Sequence, residues 1–131
     1  ESKRMHDCTE TTAMAAVHSS YLIRASAIII ITTSGLTANF ASKYRPFCPI
    51  VAITRDDAVA RKLQLYRGVM PIYYPNERDP DWTKDTDNRI QEAINYGKVR
   101  EFIKSGDHII CVTGWRQGSG SSNCLRIINI E

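Results

Sequence analysis

Apolar residues come in short unbroken runs separated by stretches of mixed polarity. The densest run is Ala27-Ile28-Ile29-Ile30-Ile31; the others are Ile50–Ile53, Val69–Tyr74, His108–Thr113 and Cys124–Ile130. Runs that are apolar at consecutive positions fit strands covered on both faces. Between them the apolar residues recur at helical spacing. Asp7-Cys8-Thr9-Glu10 has capping-box spacing with Asp as the cap, and predicts a helix through about Ala25 with Ala13, Ala16, Val17 and Tyr21 on one face. A short helix over about Leu36–Lys43 ends before Tyr44-Arg45-Pro46. Thr54-Arg55-Asp56-Asp57 caps a third, running to about Leu65, with acidic residues at its positive end. Ile90, Ala93, Ile94 and Gly97 stand at i, i+3, i+4 and i+7 and mark a long helix over about Lys84–Ile103.

Strands and helices therefore alternate after an N-terminal helix, the mark of a layered α/β fold. Pro71 cannot donate to a ladder, so its strand belongs at a sheet edge. The last two strands are joined by about ten residues with no crossover helix, which predicts an antiparallel pair. The expected architecture is an α/β three-layer sandwich with a five-stranded, mostly parallel sheet whose last strand is antiparallel. No repeat, low-complexity tract or linker divides the chain, so residues 1–131 read as one domain.

Composition narrows the function classes. A chain of 131 residues is long enough for one real core. The formal charge of +3, without any basic run, argues against nucleic acid and is compatible with a small anionic ligand. The longest apolar run is too short to span a membrane, and no secretory pattern opens the chain. Cys8, Cys48, Cys111 and Cys124 form no C-x-x-C pair, so they read as reduced thiols in a cytoplasmic protein, with no zinc site. His6, His18 and His108 are isolated, and neither a Ser-His-Asp nor a Cys-His arrangement is present.

Two loops carry candidate chemistry. Thr32-Thr33-Ser34-Gly35-Leu36-Thr37 leaves the first apolar run and opens a helix, where unpaired N–H groups attract phosphate. An ordinary cap, with Ser34 or Thr33 satisfying the helix and binding nothing, explains the same residues. Gly114-Trp115-Arg116-Gln117-Gly118-Ser119-Gly120-Ser121-Ser122-Asn123 leaves the fourth run. It leads into a strand and not a helix, which rules out a dinucleotide fingerprint. A plain hairpin loop is the alternative, although Arg116 suits phosphate. Trp82 and Arg89 read individually as packing and as a solvated face.

Taken together, these segments resemble the C-terminal domain of pyruvate kinase of the animal type, over nearly the whole chain. The resemblance is carried by Asp7-Cys8-Thr9-Glu10-Thr11-Thr12-Ala13, by Thr32-Thr33-Ser34-Gly35, and by Ser42-Lys43-Tyr44-Arg45-Pro46 with Cys48-Pro49-Ile50 and Thr54-Arg55. Leu65-Tyr66-Arg67-Gly68-Val69, the spacing of Trp82 and Arg89, and Thr113-Gly114-Trp115-Arg116-Gln117-Gly118-Ser119-Gly120 complete it. It implies a binding site for the effector fructose 1,6-bisphosphate or a related sugar phosphate. Thr32, Thr33, Ser34, Gly35 and Thr37 would hold the 6-phosphate, Trp82 and Arg89 the 1-phosphate, and Arg116, Gly118 and Gly120 a loop closing over the sugar. Leu36 and Ser121 depart from the residues usual in the family, arginine and an aromatic, and Glu101 occupies a usual glycine position.

The resemblance also implies a parent enzyme transferring phosphoryl between phosphoenolpyruvate and ADP with magnesium and potassium. This domain would hold no cofactor. Its partners would be the parent's catalytic barrel and lid domains, absent from this chain, and further copies of itself, as a dimer alone and a tetramer in the parent. The isolated chain is expected not to catalyse. An assembly module with weak or no effector binding is the alternative reading, carried by the long branched terminal strand Cys124–Ile130. A freestanding phosphosugar enzyme is the third, and it lacks a credible acid, base or nucleophile.

Overall fold

Strands form where the chain is apolar at consecutive positions, and helices fill the intervals. The computed structural model describes residues 2–114 and 122–131, and the side chains of 8–114 and 124–131. The elements in order are α1 (Ser2–Ile23), β1 (Ile28–Ile31), α2 (Leu36–Lys43), β2 (Ile50–Thr54), α3 (Asp57–Leu63), β3 (Val69–Tyr73), α4 (Trp82–Val99), β4 (His108–Gly114) and β5 (Ser122–Asn129). They build a five-stranded sheet in the order β3-β2-β1-β4-β5. The β1–β2, β1–β4 and β2–β3 pairs are parallel, and β4–β5 is antiparallel, with Ile110 opposite Ile127.

Both sheet faces are covered, which explains the unbroken apolar runs. Ile28, Ile30, Ile50, Ala52, Ile110 and Val112 point to one face, against Ala13, Ala16 and Val17 of α1, Ala38 and Ala41 of α2 and Leu63 of α3. Ile29, Ile31, Val51, Ile53, Ile109 and Cys111 point to the other, against Ile90, Ala93 and Ile94 of α4. Alternate residues of one run thus serve two cores. Cys111 lies within the second, where burial pushes its thiol up to about 12; Cys124 is half-buried.

Pro71 sits on edge strand β3, as expected. Ile50 N–H donates to Gly68 O and Tyr74 N–H to Thr54 O, so the even-numbered positions of β3 bond β2. The Pro71 nitrogen therefore faces outward, where no ladder needs a donor.

Four expectations are corrected. The first helix begins at Ser2 and not after an Asp7 cap, because nothing in residues 2–6 breaks a helix that continues through position 7. Tyr21 is 38% exposed and lies beside the buried stripe of Thr9, Ala13, Ala16, Val17 and Ser20. Its ring packs edge-on against Phe47 at 4.9 Å, and its hydroxyl donates to Arg45 O. The long helix starts two residues earlier than expected, because Asp81 caps it by accepting the Thr83 N–H at 3.0 Å, and it stops at Val99. Beyond it Glu101 adopts φ 67°, with Glu101 N–H bonded to Lys98 O and Phe102 N–H to Gly97 O. That is a Schellman turn, and it folds Ile103 back onto Gly97. The third helix likewise ends at Leu63, opened by Asp56, whose carboxylate accepts from the N–H groups of Ala58 and Val59.

Candidate functional site

Strand order reverses at β1. From there the chain moves outward to β2 and β3, then returns through α4 on the other face to β4, on the opposite side of β1. Such a switch point leaves a crevice outside the carboxyl ends of the two strands. The register Ile30↔Val112 sets the residues leaving β1 alongside those ending β4.

The turn after β1 is tied to the sheet by Thr32 N–H donating to Ile53 O at 3.1 Å. Thr32 Oγ1 accepts the Gly35 N–H at 2.8 Å. Gly35 is the cap residue of α2, at φ 87°, and brings no side chain to cap it. Ser34 Oγ lies 3.4 Å from Leu36 N, a long contact that leaves the cap role expected of Ser34 or Thr33 unfilled. A Cβ on Gly35 would stand 3.1 Å from Leu63 Cδ2, so close approach and a left-handed backbone both call for glycine. Thr33 and Ser34 are exposed, whereas Thr32 and Thr37 are buried.

Across the crevice, the Asp81 cap makes Trp82 the first residue of α4. Two turns on, the Arg89 guanidinium stands 5.5 Å from the Trp82 ring centroid. Arg89 is only 5% exposed. Burial pushes its pKa down to about 10, partly offset by the charge of Asp85. Asp85, 2% exposed, accepts two hydrogen bonds from Arg55, at 2.9 and 2.6 Å, and one from Asp79 N–H at 3.1 Å. Those bonds hold its carboxyl below the usual range, Arg55 contributing most, against the opposing effect of burial. Arg89 Nη2 lies 3.3 Å from Asp85 Oδ2 without hydrogen-bond alignment. Nε and Nη2 of Arg89, and Oγ1 of its helix neighbour Thr86, are buried with no hydrogen-bond partner among the described residues.

A cleft of about 210 Å³ opens here, lined by Trp82, Thr83, Thr86 and Asp87 of α4, Thr113 and Gly114 of β4, and Arg126 of β5. Arg126 pairs loosely with Asp87 at 3.6 Å, both half exposed. Of the residues singled out in the sequence, Trp82 lines this cleft and Arg89 adjoins Trp82. Thr32, Thr33, Ser34, Gly35 and Thr37 belong to the neighbouring strand end and do not line it. Arg116, Gly118 and Gly120 lie outside the described residues. Sequence reasoning missed Thr86, Arg126, Arg55 and Asp85. Asp85 was legible as the i−4 partner of Arg89, but its bond to Arg55 spans 30 positions and left no local signal.

A buried guanidinium with unpaired N–H groups, hydroxyls and a helix start suits an oxyanion. Among the described residues no group of three His, Cys, Asp or Glu could hold a metal ion. No helix among them is long and apolar enough to cross a membrane.

Fold and site together define an open-sheet α/β domain with a polar cleft between α4 and the strands β4 and β5. Residues 10–128 match the family model described as "Pyruvate kinase, alpha/beta domain". Over 125 residues, 95% of this chain, it is 44% identical to pyruvate kinase PKLR from Homo sapiens and covers 22% of that protein. It is 42% identical over 120 residues to pyruvate kinase from Candida albicans, covering 92% of this chain and 24% of the relative. The chain belongs to the pyruvate kinase family, through its α/β domain. It spans under a quarter of the length of these relatives, and animal and fungal enzymes match it about equally.

Proposed function

We propose that this chain is the effector-binding module of a pyruvate kinase, taking fructose 1,6-bisphosphate or a related sugar phosphate across the β1–β4 crevice. The observation that carries this reading is the cluster of Arg89 and Thr86, buried beside the Trp82 cleft with donors that find no partner among the described residues. Burying such donors costs about 1–3 kcal/mol each, and a bound phosphate would recover that cost. The start of α2, whose cap residue Gly35 brings no side chain, supports a second phosphate at Thr32, Thr33, Ser34, Gly35 and Thr37, with Arg116, Gly118 and Gly120 covering the sugar. Charge-assisted hydrogen bonds contribute about 1.5–3 kcal/mol each, so a few reach micromolar affinity, about −8 kcal/mol. Half-buried, apolar Leu36 at the start of α2 lowers that affinity relative to an arginine. In the full enzyme, a cytoplasmic transferase, the module would couple this site to catalytic domains that use magnesium and potassium.

Titration calorimetry with fructose 1,6-bisphosphate tests the reading. Binding is expected for the unaltered chain and is expected to weaken sharply in Arg89→Met. No heat at millimolar ligand defeats it.

A second reading, assembly, draws on β5. Its outer edge carries no further strand among the described residues, and Ile127 on it is 54% exposed. Strand pairing there would give a dimer of this domain, and a tetramer in the parent. A monomeric mass in light scattering at high protein concentration would count against it. Arg89→Met should leave assembly intact.

A further inference from the structure

The pairing around Asp85 is uneven in a way that sequence spacing does not explain. Asp85 and Arg89 stand one turn apart on α4, where a carboxylate and a guanidinium normally meet. Yet both carboxylate oxygens are taken by Arg55, which arrives from the end of β2 at 2.9 and 2.6 Å, and Oδ1 also accepts the Asp79 N–H. Arg89 is left at 3.3 Å without an aligned bond. Arg55 itself is held by Asn76 O at 3.1 Å and by the Tyr74 ring at 5.3 Å, and it does not line the cleft. Among the described residues, its hydrogen-bonded link to that site runs through Asp85.

We propose that Arg55 is a positioning residue for the anion site: by occupying Asp85, it keeps the Arg89 guanidinium open to a phosphate group. Without Arg55, the buried Asp85 carboxylate turns to the remaining cation beside it. Arg89 then closes an internal pair that a ligand must break. The assignment rests on the effector reading above and adds a residue that never touches the ligand.

The test is calorimetric titration of the 131-residue chain with fructose 1,6-bisphosphate, comparing wild type, Arg55→Met, Arg55→Lys and Arg55→Met/Asp85→Asn. Losing an open charged donor should weaken binding about tenfold in Arg55→Met. Lysine bonds the carboxylate as a point charge, so Arg55→Lys should lose only about threefold. Neutralising Asp85 removes the competitor, so the double variant should return to within about threefold of wild type. A merely structural role for Arg55 gives no such rescue. Unchanged binding in Arg55→Met, or no recovery in the double variant, overturns the assignment and leaves the effector reading standing. No binding by wild type defeats both. Should Arg55→Met not fold, Arg55→Lys against Arg55→Lys/Asp85→Asn carries the comparison: a loss abolished by the second change supports the assignment, and its absence overturns it.

Discussion

Replacing Asp85 by Asn isolates a heavily loaded polar contact, one carboxylate that accepts three hydrogen bonds. The change keeps the shape of the side chain and removes its charge. One oxygen that accepted from Arg55 at 2.9 or 2.6 Å becomes an NH₂ group facing another donor. Arg55 is partly exposed and can turn toward water, but Arg89 is 5% exposed and cannot. Breaking a buried pair by removing one partner costs about 3–5 kcal/mol. Because Arg55 can relax, Asp85→Asn should fall near the lower end, about 3 kcal/mol, out of the 5–15 kcal/mol typical of a whole domain. Urea unfolding followed by circular dichroism at pH 7 measures it. The pH dependence supplies an independent check. The carboxyl of Asp85 is held below its ordinary value in the folded chain. Its contribution is therefore complete above the unfolded carboxylate pKa of about 3.9 and is lost as pH falls through the lower folded value. The gap between wild type and variant should stay constant from about pH 7 to 5 and narrow below about pH 4. A cost under about 1 kcal/mol at pH 7, or a gap unchanged at the lowest pH where both proteins fold, refutes the reasoning. Arg89→Met makes the contrast: it leaves Asp85 paired with Arg55 and removes a desolvated cation, so its stability should stay within about 1 kcal/mol of wild type.

Other expectations concern packing and turns. A Cβ at Gly97 would lie 2.4 Å from Ile103 Cδ1 and 3.1 Å from its Cβ, which no rotamer change clears; Gly97→Ala should cost about 1–3 kcal/mol in urea unfolding despite alanine's better helix propensity. Glu101→Gly removes a left-handed strain at φ 67° and should raise stability by about 1 kcal/mol, or roughly 3–5 °C in thermal melts. Asp56→Ala removes the two bonds that open α3 and should cost about 1 kcal/mol, with no effect on fructose 1,6-bisphosphate binding in calorimetry.

The sheet was readable from the chain because burial on both faces removes the polar positions that would otherwise blur a strand. Pro71 and the missing crossover helix then placed two of the five strands. Helix ends were harder. Asp7 has the spacing of a cap yet lies inside α1, because a cap signal works only where the preceding residues leave the helix. Tyr21 is one position off a buried stripe, and a hundred degrees of helix rotation separates core from surface. At the candidate site, Trp82 and Arg89 were legible as residues, but the burial of Arg89 was not. Local spacing treats an arginine on a polar helix as solvated. Only the fold brings Arg55 to Asp85 and leaves Arg89 beside it without an aligned bond.

The two edges of the sheet are chemically unequal. On β3 the central outward position that a joining strand would need as a donor is the Pro71 nitrogen, whereas the outer edge of β5, Ser122–Asn129, contains no proline. A sheet with one receptive border can be extended only there, and two such sheets that meet consume both borders at once. Were copies of this domain to pair strand to strand at β5, the pairing would close as a two-fold pair, with both receptive borders consumed.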